Sequence, residues 1–487
     1  MSIDRSMRPA QPRRAARMPQ GAARGALAAR YLGALICGTL AGMPGAQAHE
    51  ASHAHGHGAA PAATVTYVTR PGDSLYVIAN RYLRDPSDWV SLARLNHVSE
   101  PRHLQPGIAL RVPVALLRQD GLAAKVIAAN GPVTHAFRNA PSLPLVVGSS
   151  LVEGDRVQTG KDGFATLELA DGTHLIIPPE TSLELGTLRQ TALTGTTDRI
   201  INLKQGEVDS EVTHATQKDD RFQIRSPSVV AGVRGTSFRV SYDGGNGSTA
   251  VEVLEGAVGV DAAHGGAGAP APGTPLAASS ELVAARHGSF TTAGGAVGSP
   301  VALLDAPDLE HPARVQDDAS VAFDIAPVET ARGYRVQIGR DAGLLEMIRD
   351  LRSDSAHADA GALPDGTYFV RITAIDQNGL EGMPNTYAFE RRRLAFGTSA
   401  GRLDDTRNYA FRWFVDRNAA NLHFRFVLAT GPDLRVPLVD RTDIAGGEVV
   451  VSDLPKGVYY WTVIAEQFEN GRYYQKASPV QSFRLDW

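Results

Sequence analysis

The chain has 487 residues, 43% of them apolar and 21% charged, with a formal net charge of -4 and one cysteine, Cys37. So small a charge gives no reason to expect nucleic-acid binding, and a lone cysteine excludes internal disulfides and multi-cysteine zinc sites. Stability must come from core burial, and a chain this long divides that burial among several domains.

Residues 1–48 read as an export signal. Arg5, Arg8, Arg13, Arg14, Arg17, Arg24 and Arg30 form a basic leader with one acidic residue, Asp4. The apolar run Tyr31–Leu40 follows, and Ala46-Gln47-Ala48 fits a small-residue cleavage site. Cleavage there would leave His49 first and remove Cys37. Initiation at Met18 would shorten the leader to an ordinary length. The apolar run is short for a membrane span, and Ile36 before Cys37 argues against a lipoprotein site. No later segment approaches a span, so the expectation is a soluble protein exported to the periplasm, envelope or exterior.

His49, His53, His55 and His57 lie close together in an Ala/Gly/His-rich stretch, 49–63. Imidazoles at this density can chelate zinc, copper or nickel; the alternative is a plain linker. No cofactor is implied elsewhere.

The stretch 64–116 is punctuated at every step. Tyr67 and Val68 begin an extended run that stops at Arg70-Pro71-Gly72, where proline restricts the residue before it and glycine permits a sharp turn. Asp73 or Ser74 can cap a helix whose apolar face is Leu75, Ile78, Ala79 and Tyr82. Asp85-Pro86-Ser87-Asp88 breaks the chain and starts a second helix with Trp89, Leu92, Ala93 and Leu95 on its face; Asn96 suits its exit. After the loop 101–107, Ile108, Leu110 and Val112 alternate as a strand. The order is βααβ. This segment resembles the LysM module, which binds N-acetylglucosamine-containing glycans such as peptidoglycan. The resemblance places the glycan in a shallow groove between two loops, here Gly72, Asp73, Ser74 and Leu75 on one side and His103, Leu104, Gln105 and Pro106 on the other. The residue-level alternative is that Gly72-Asp73-Ser74 is only a turn and a helix cap. One copy is read, so weak binding of short glycans is expected.

From 143 to 261 short β runs alternate with glycine turns. Phe164, Thr166 and Glu168 alternate with Ala165, Leu167 and Leu169, and Asp171-Gly172 turns the chain into Thr173–Ile177. Leu183–Leu185, Ile200–Leu203, Phe222–Ile224, Thr236–Val240 and Thr249–Leu254 continue the pattern, which predicts an all-β sandwich, roll or solenoid-like sheet. Gly154, Gly172, Gly206 and Gly256 read as turn formers rather than phosphate cradles. Arg234-Gly235-Thr236 is either an exposed recognition tip or a turn into the next strand. The phrases Glu-Gly-Asp-Arg-Val-Gln-Thr-Gly (153–160), Leu-Ala-Asp-Gly-Thr-His-Leu (169–175), Leu-Lys-Gln-Gly-Glu-Val (203–208), Ser-Pro-Ser-Val-Val-Ala-Gly-Val-Arg-Gly-Thr-Ser-Phe-Arg-Val (226–240) and Val-Leu-Glu-Gly-Ala-Val (253–258) resemble the FecR domain in content and order. FecR regulators relay the state of an outer-membrane transporter to a sigma factor, which needs a cytoplasmic segment and a membrane helix ahead of the domain. Neither is read here, so the resemblance implies the fold and an extracytoplasmic protein partner rather than sigma-factor control.

Residues 262–300 are rich in Ala, Gly and Pro and read as a linker, with a last strand over 282–290 that would carry the β domain to about 295. Beyond it the chain repeats. Leu363-Pro364-Asp365-Gly366-Thr367-Tyr368 through Ala374 recurs as Leu454-Pro455-Lys456-Gly457-Val458-Tyr459 through Ala465, and Gly333–Ile338 matches Leu422–Leu428. The copies, 301–395 and 396–487, resemble fibronectin type III or immunoglobulin-like β-sandwiches. Trp413, Trp461 and Tyr473-Tyr474 could form a sugar platform, with core filling as the default.

No nucleophile, acid–base pair or ordered metal site can be assembled from the sequence. The expectation is therefore a non-catalytic, multidomain, mainly β protein: a small βααβ module, an all-β domain and two β-sandwiches. Its expected partners are peptidoglycan or another N-acetylglucosamine glycan and an envelope protein. Signal sensing by the FecR-like domain, or an adhesin or assembly scaffold, are the alternatives.

Overall fold

The computed structural model describes residues 63–215, 217–263, 278–403, 407–416, 422–469 and 471–486. The export signal and the His49, His53, His55 and His57 cluster lie outside them.

In the βααβ module, strand Thr64–Val68 pairs antiparallel with Ala109–Pro113, setting Tyr67 opposite Leu110. Ser74, not Asp73, caps helix Leu75–Tyr82: its Oγ accepts the Val77 N–H at 3.2 Å. Asp85 caps the 3-10 turn Pro86–Asp88, which runs into helix Trp89–Leu95. Asn96 ends that helix and ties it to the last strand, donating from Nδ2 to the Leu92 and Arg111 carbonyls and accepting the Arg111 N–H. Leu75, Ile78, Ala79, Leu83, Leu92 and Leu110 are buried together, each large side chain contributing about 1.5–3 kcal/mol.

Strand pairing in the next domain extends from Gln119–Gly121 to Val301–Ala302. It includes Ala123–Asn130 and Val133–Phe137, which the sequence leaves unassigned, paired with Phe164–Glu168 and Asp155–Thr159. The strand expected over 282–290 is present as two, Glu281–Ala284 and His287–Thr291, with Arg286 between them at φ 64°. Asp171-Gly172 does form the turn between Phe164–Glu168 and His174–Ile177. The long strand Thr197–Glu211 joins two sheets. Its first part pairs with Ser182–Thr191 and, in parallel, with Arg221–Arg225; its second pairs with His174–Ile177 and Ser237–Asp243. The change of sheet comes at Gly206, at φ 84°, where a Cβ would lie 2.4 Å from Thr181 Oγ1; glycine is required there. Leu167, Leu183, Ile201, Val208, Val240 and Val258 help to fill the interior.

The first β-sandwich sets Met347–Ser353, Gly333–Gly339, Gly366–Ile375 and Asn385–Arg391 against the pair Val321–Asp324 and His357–Gly361. The second sets Phe396–Arg402, Asn408–Val415 and Glu448–Ser452 against a sheet containing Pro437–Ile444, Leu422–Ala429, Gly457–Glu469 and Arg472–Ala477. The internal repeat is structural. Tyr368 donates from its hydroxyl to the Pro364 carbonyl, and Tyr459 to the Pro455 carbonyl. Trp413 and Trp461 are buried against Phe424, Phe426 and Phe411, so they are core and not a sugar platform. Tyr473 is exposed, and Tyr474 lies under the Arg392 guanidinium at 3.8 Å. Among the described residues no helix is long and apolar enough to cross a membrane.

Candidate functional site

The two loops singled out in the βααβ module are brought together and stitched. The Leu75 N–H donates to the Pro101 carbonyl at 2.9 Å and the Leu104 N–H to the Asp73 carbonyl at 3.3 Å. Thr69, a residue that sequence reasoning passed over, is the staple. Its hydroxyl donates to the Gln105 carbonyl at 2.6 Å and accepts the Ile108 N–H at 2.9 Å, while its carbonyl accepts the Gly107 N–H. These bonds satisfy buried backbone groups and fix the loop separation.

The eight predicted groove residues divide into two sets. Leu75, Leu104 and Asp73 are buried and belong to the module's own structure. Gly72, His103, Gln105 and Pro106 are exposed and Ser74 is half-buried, so these five form the accessible rim. Gly72 and Gly107 adopt φ 86° and 87°, and a Cβ on either would meet nothing within 4 Å. The backbone at both turns is therefore open to close approach from outside.

Asp73 is a positioning residue. Its Oδ2 accepts the Tyr67 hydroxyl and the Arg70 N–H, each at 2.7 Å. Burial by itself would raise the Asp73 carboxyl; the Arg70 N–H and the Tyr67 hydroxyl outweigh it and hold the group below its ordinary value. Burial, then the bond to Asp73, push Tyr67 up to about 12. The only sequence signal for this pair was an acid between a glycine turn and a helix cap. Tyr67→Phe is expected to cost the module about 1–3 kcal/mol at pH 7, because it strips a donor from a buried carboxylate. The Asp73 contribution is present above the ordinary carboxylate range and is lost as pH falls through the depressed folded value. The wild-type-to-variant gap in urea titrations should therefore narrow in acid.

Elsewhere, Arg234-Gly235-Thr236 turns the chain between Val229–Val233 and Ser237–Asp243, with the Thr236 N–H and carbonyl both bonded to Val212. No group of three or more His, Cys, Asp or Glu suited to a metal ion occurs among the described residues.

Residues 67–113 match the LysM domain model and residues 155–259 the FecR protein model. An uncharacterized protein of Deinococcus radiodurans is 43% identical over 47 residues, which is 10% of this chain and 19% of that protein. The chain thus spans about a fifth of the length of that curated relative. A structure from Parabacteroides distasonis, described as a candidate anti-sigma factor, is 18% identical over 30% of this chain and 59% of its own, with a TM-score of 0.23. The fibronectin(III)-like modules of Clostridium thermocellum CbhA are 12% identical over 36% and 90%, with a TM-score of 0.20. A two-domain fibronectin type-III segment of chicken tenascin is 16% identical over 36% and 99%, with a TM-score of 0.19. The chain joins a LysM domain to a FecR domain, with two β-sandwiches behind them.

Proposed function

We propose that this is a non-catalytic, exported envelope protein that its LysM domain tethers to peptidoglycan. Its FecR domain and β-sandwiches would present surfaces to a protein partner. The observation that carries the reading is the pair of stitched loops, with Gly72, Ser74, His103, Gln105 and Pro106 left accessible along their rim. Such a rim offers backbone polar groups and small apolar surfaces, the combination that an acetamido sugar requires. Neither matched family is catalytic; clearing of purified wall in a zymogram would overturn that part. The match over residues 155–259 favours a second reading, in which the FecR domain senses an envelope signal.

The chain from His49 onward is expected to sediment with insoluble sacculi and to be released by chitin oligomers. Gly72→Ala places a methyl group over the open turn at φ 86°. It should cost about 1 kcal/mol in stability and weaken sacculus binding about tenfold, or 1.4 kcal/mol. Unchanged sedimentation of a folded Gly72→Ala chain would place the glycan elsewhere; no sedimentation of the parent chain would end the tether reading. Partner capture with and without residues 66–113 separates glycan-dependent from glycan-independent recognition.

A further inference from the structure

The FecR domain and the first β-sandwich meet through charge. On strand Thr197–Glu211, Glu207 and Asp209 point away from the core that Val208 enters. Arg239 sits opposite Asp209 in register, and Glu252 opposite Arg239. This acid–base–acid row would ordinarily face water, yet all of these residues are buried. What covers them is the sandwich. Arg335 Nη1 reaches Glu207 Oε1 at 2.5 Å and Glu381 Oε2 at 3.0 Å, and its Nη2 reaches Asp350 at 2.5 Å. Arg239 donates to Glu381 Oε2 at 2.9 Å and to the Glu381 and Gly382 carbonyls. The Glu381 N–H donates back to Glu252 at 3.1 Å. Arg352, half-exposed, bridges Glu207 and Glu381 from outside. Apolar contacts flank this polar centre, Phe164 and Ile176 with Leu344 and Met347 on one side, Ala250 and Leu303 with Leu380 on the other.

Five carboxyls, Glu207, Asp209, Glu252, Asp350 and Glu381, share four guanidiniums: Arg239, Arg335, Arg352 and the half-buried Arg371. Asp209 is the least served, its Oδ1 buried without a hydrogen-bond partner among the described residues. We propose that this network is a proton-operated latch, closing the FecR domain on the first β-sandwich while Asp209 and Glu252 hold protons and loosening it when they ionise. A cleft of about 510 Å³ bordered by Glu207, Arg335, Asp350 and Arg352 gives solvent access to it.

The direction follows from the surroundings. Asp209 faces Glu207 on its own strand, Arg239 on the next, Arg335 on strand Gly333–Gly339, Arg371 on Gly366–Ile375 and Glu381 on the turn after it; burial, then Glu207, raise it well above the usual carboxylate range. Glu252 faces Arg239, Glu381 and Glu207, and burial raises it to about 7 despite Arg239. For Glu381, burial is outweighed by Arg335, Arg239 and Arg352, which bring it down to about 2, so the counter-charge of the arginines persists in acid. Once the domains part, Glu252 returns toward its ordinary 4.5. The closed form therefore holds the extra proton between that value and about 7, and this contribution to closure is lost as pH rises through about 7.

The test is a pair of spin labels on Lys204→Cys and Asp354→Cys in the full chain with Cys37→Ser. One narrow distance distribution is expected at pH 5.5. At pH 8.5 a second, longer population should appear, with the open-to-closed ratio rising about tenfold or more. Asp209→Asn with Glu252→Gln, which mimics the protonated pair, should stay closed at both pH values. A parent distribution that does not change between pH 5.5 and 8.5 overturns the latch, and so does a folded double variant that opens as the parent does. If the double variant fails to fold, the parent titration alone decides.

Discussion

Arg335→Ala is expected to destabilise the joint between the FecR domain and the first β-sandwich by about 3–5 kcal/mol, because it leaves buried carboxylates without their counter-charge. Arg335 is 2% exposed and bonds Glu207, Asp350 and Glu381 together. Two of those partners separate the contributions. Asp350 lies on the neighbouring strand of the same sheet, so a double-mutant cycle between Arg335 and Asp350 reports on the sandwich itself. Glu207 belongs to the FecR domain, so a cycle between Arg335 and Glu207 reports on the joint. The joint coupling should be large in the full chain, read by thermal or urea unfolding at pH 6. A loss under about 0.5 kcal/mol for Arg335→Ala would mean that the flanking apolar contacts hold the domains without it. Arg335→Met is not expected to rescue the joint, since it restores volume but leaves the same acids unpaired.

Where structure was local, the residues announced it. The LysM domain was legible because each of its turns and caps is written in adjacent residues: Pro71-Gly72, Ser74, Asp85-Pro86, Asn96. The sandwich repeat was legible because the Leu-Pro-x-Gly-x-Tyr phrase recurs with its tyrosine tether. What could not be read is burial imposed from a distance. Glu207-Val208-Asp209 and Arg335-Val336-Gln337 have the alternation of strands with one wet face. Nothing within either segment says that the two wet faces will cover each other. Thr69 and the Tyr67–Asp73 pair escaped notice for a related reason: apolar periodicity finds cores but not the buried polar atoms that set loop spacing. Trp461 shows the converse. Its phrase, Tyr459-Tyr460-Trp461, offers aromatics to both faces of a strand, and only the facing Phe411 and Phe426 decide which is core.

Arg391→Ala should be comparably damaging to the first β-sandwich, and for a different reason. Arg391 is fully buried, and among the described residues no carboxylate bonds it; its guanidinium donates to the carbonyls of Leu363, Gln316, Asp318 and Ala319. Alanine would strip a donor from each of these acceptors, leaving the Gln316 carbonyl only its Arg392 N–H, and open a large void, a loss of about 3–5 kcal/mol from cavity and desolvation costs together. Lysine is a poor substitute, since an ammonium cannot reproduce a planar fork aimed at separate carbonyls. The damage should also spread, because the segment that Arg391 holds carries Asp317 and Asp318, whose oxygens receive Lys476 of the second sandwich. Hydrogen exchange in the full chain should therefore rise first at 316–322 and then along Arg472–Ala477. The βααβ domain, which shares none of these bonds, should keep its protection. If exchange rose equally everywhere, Arg391 would be a determinant of global folding and not the local tie between segment and sheet that its hydrogen bonds describe.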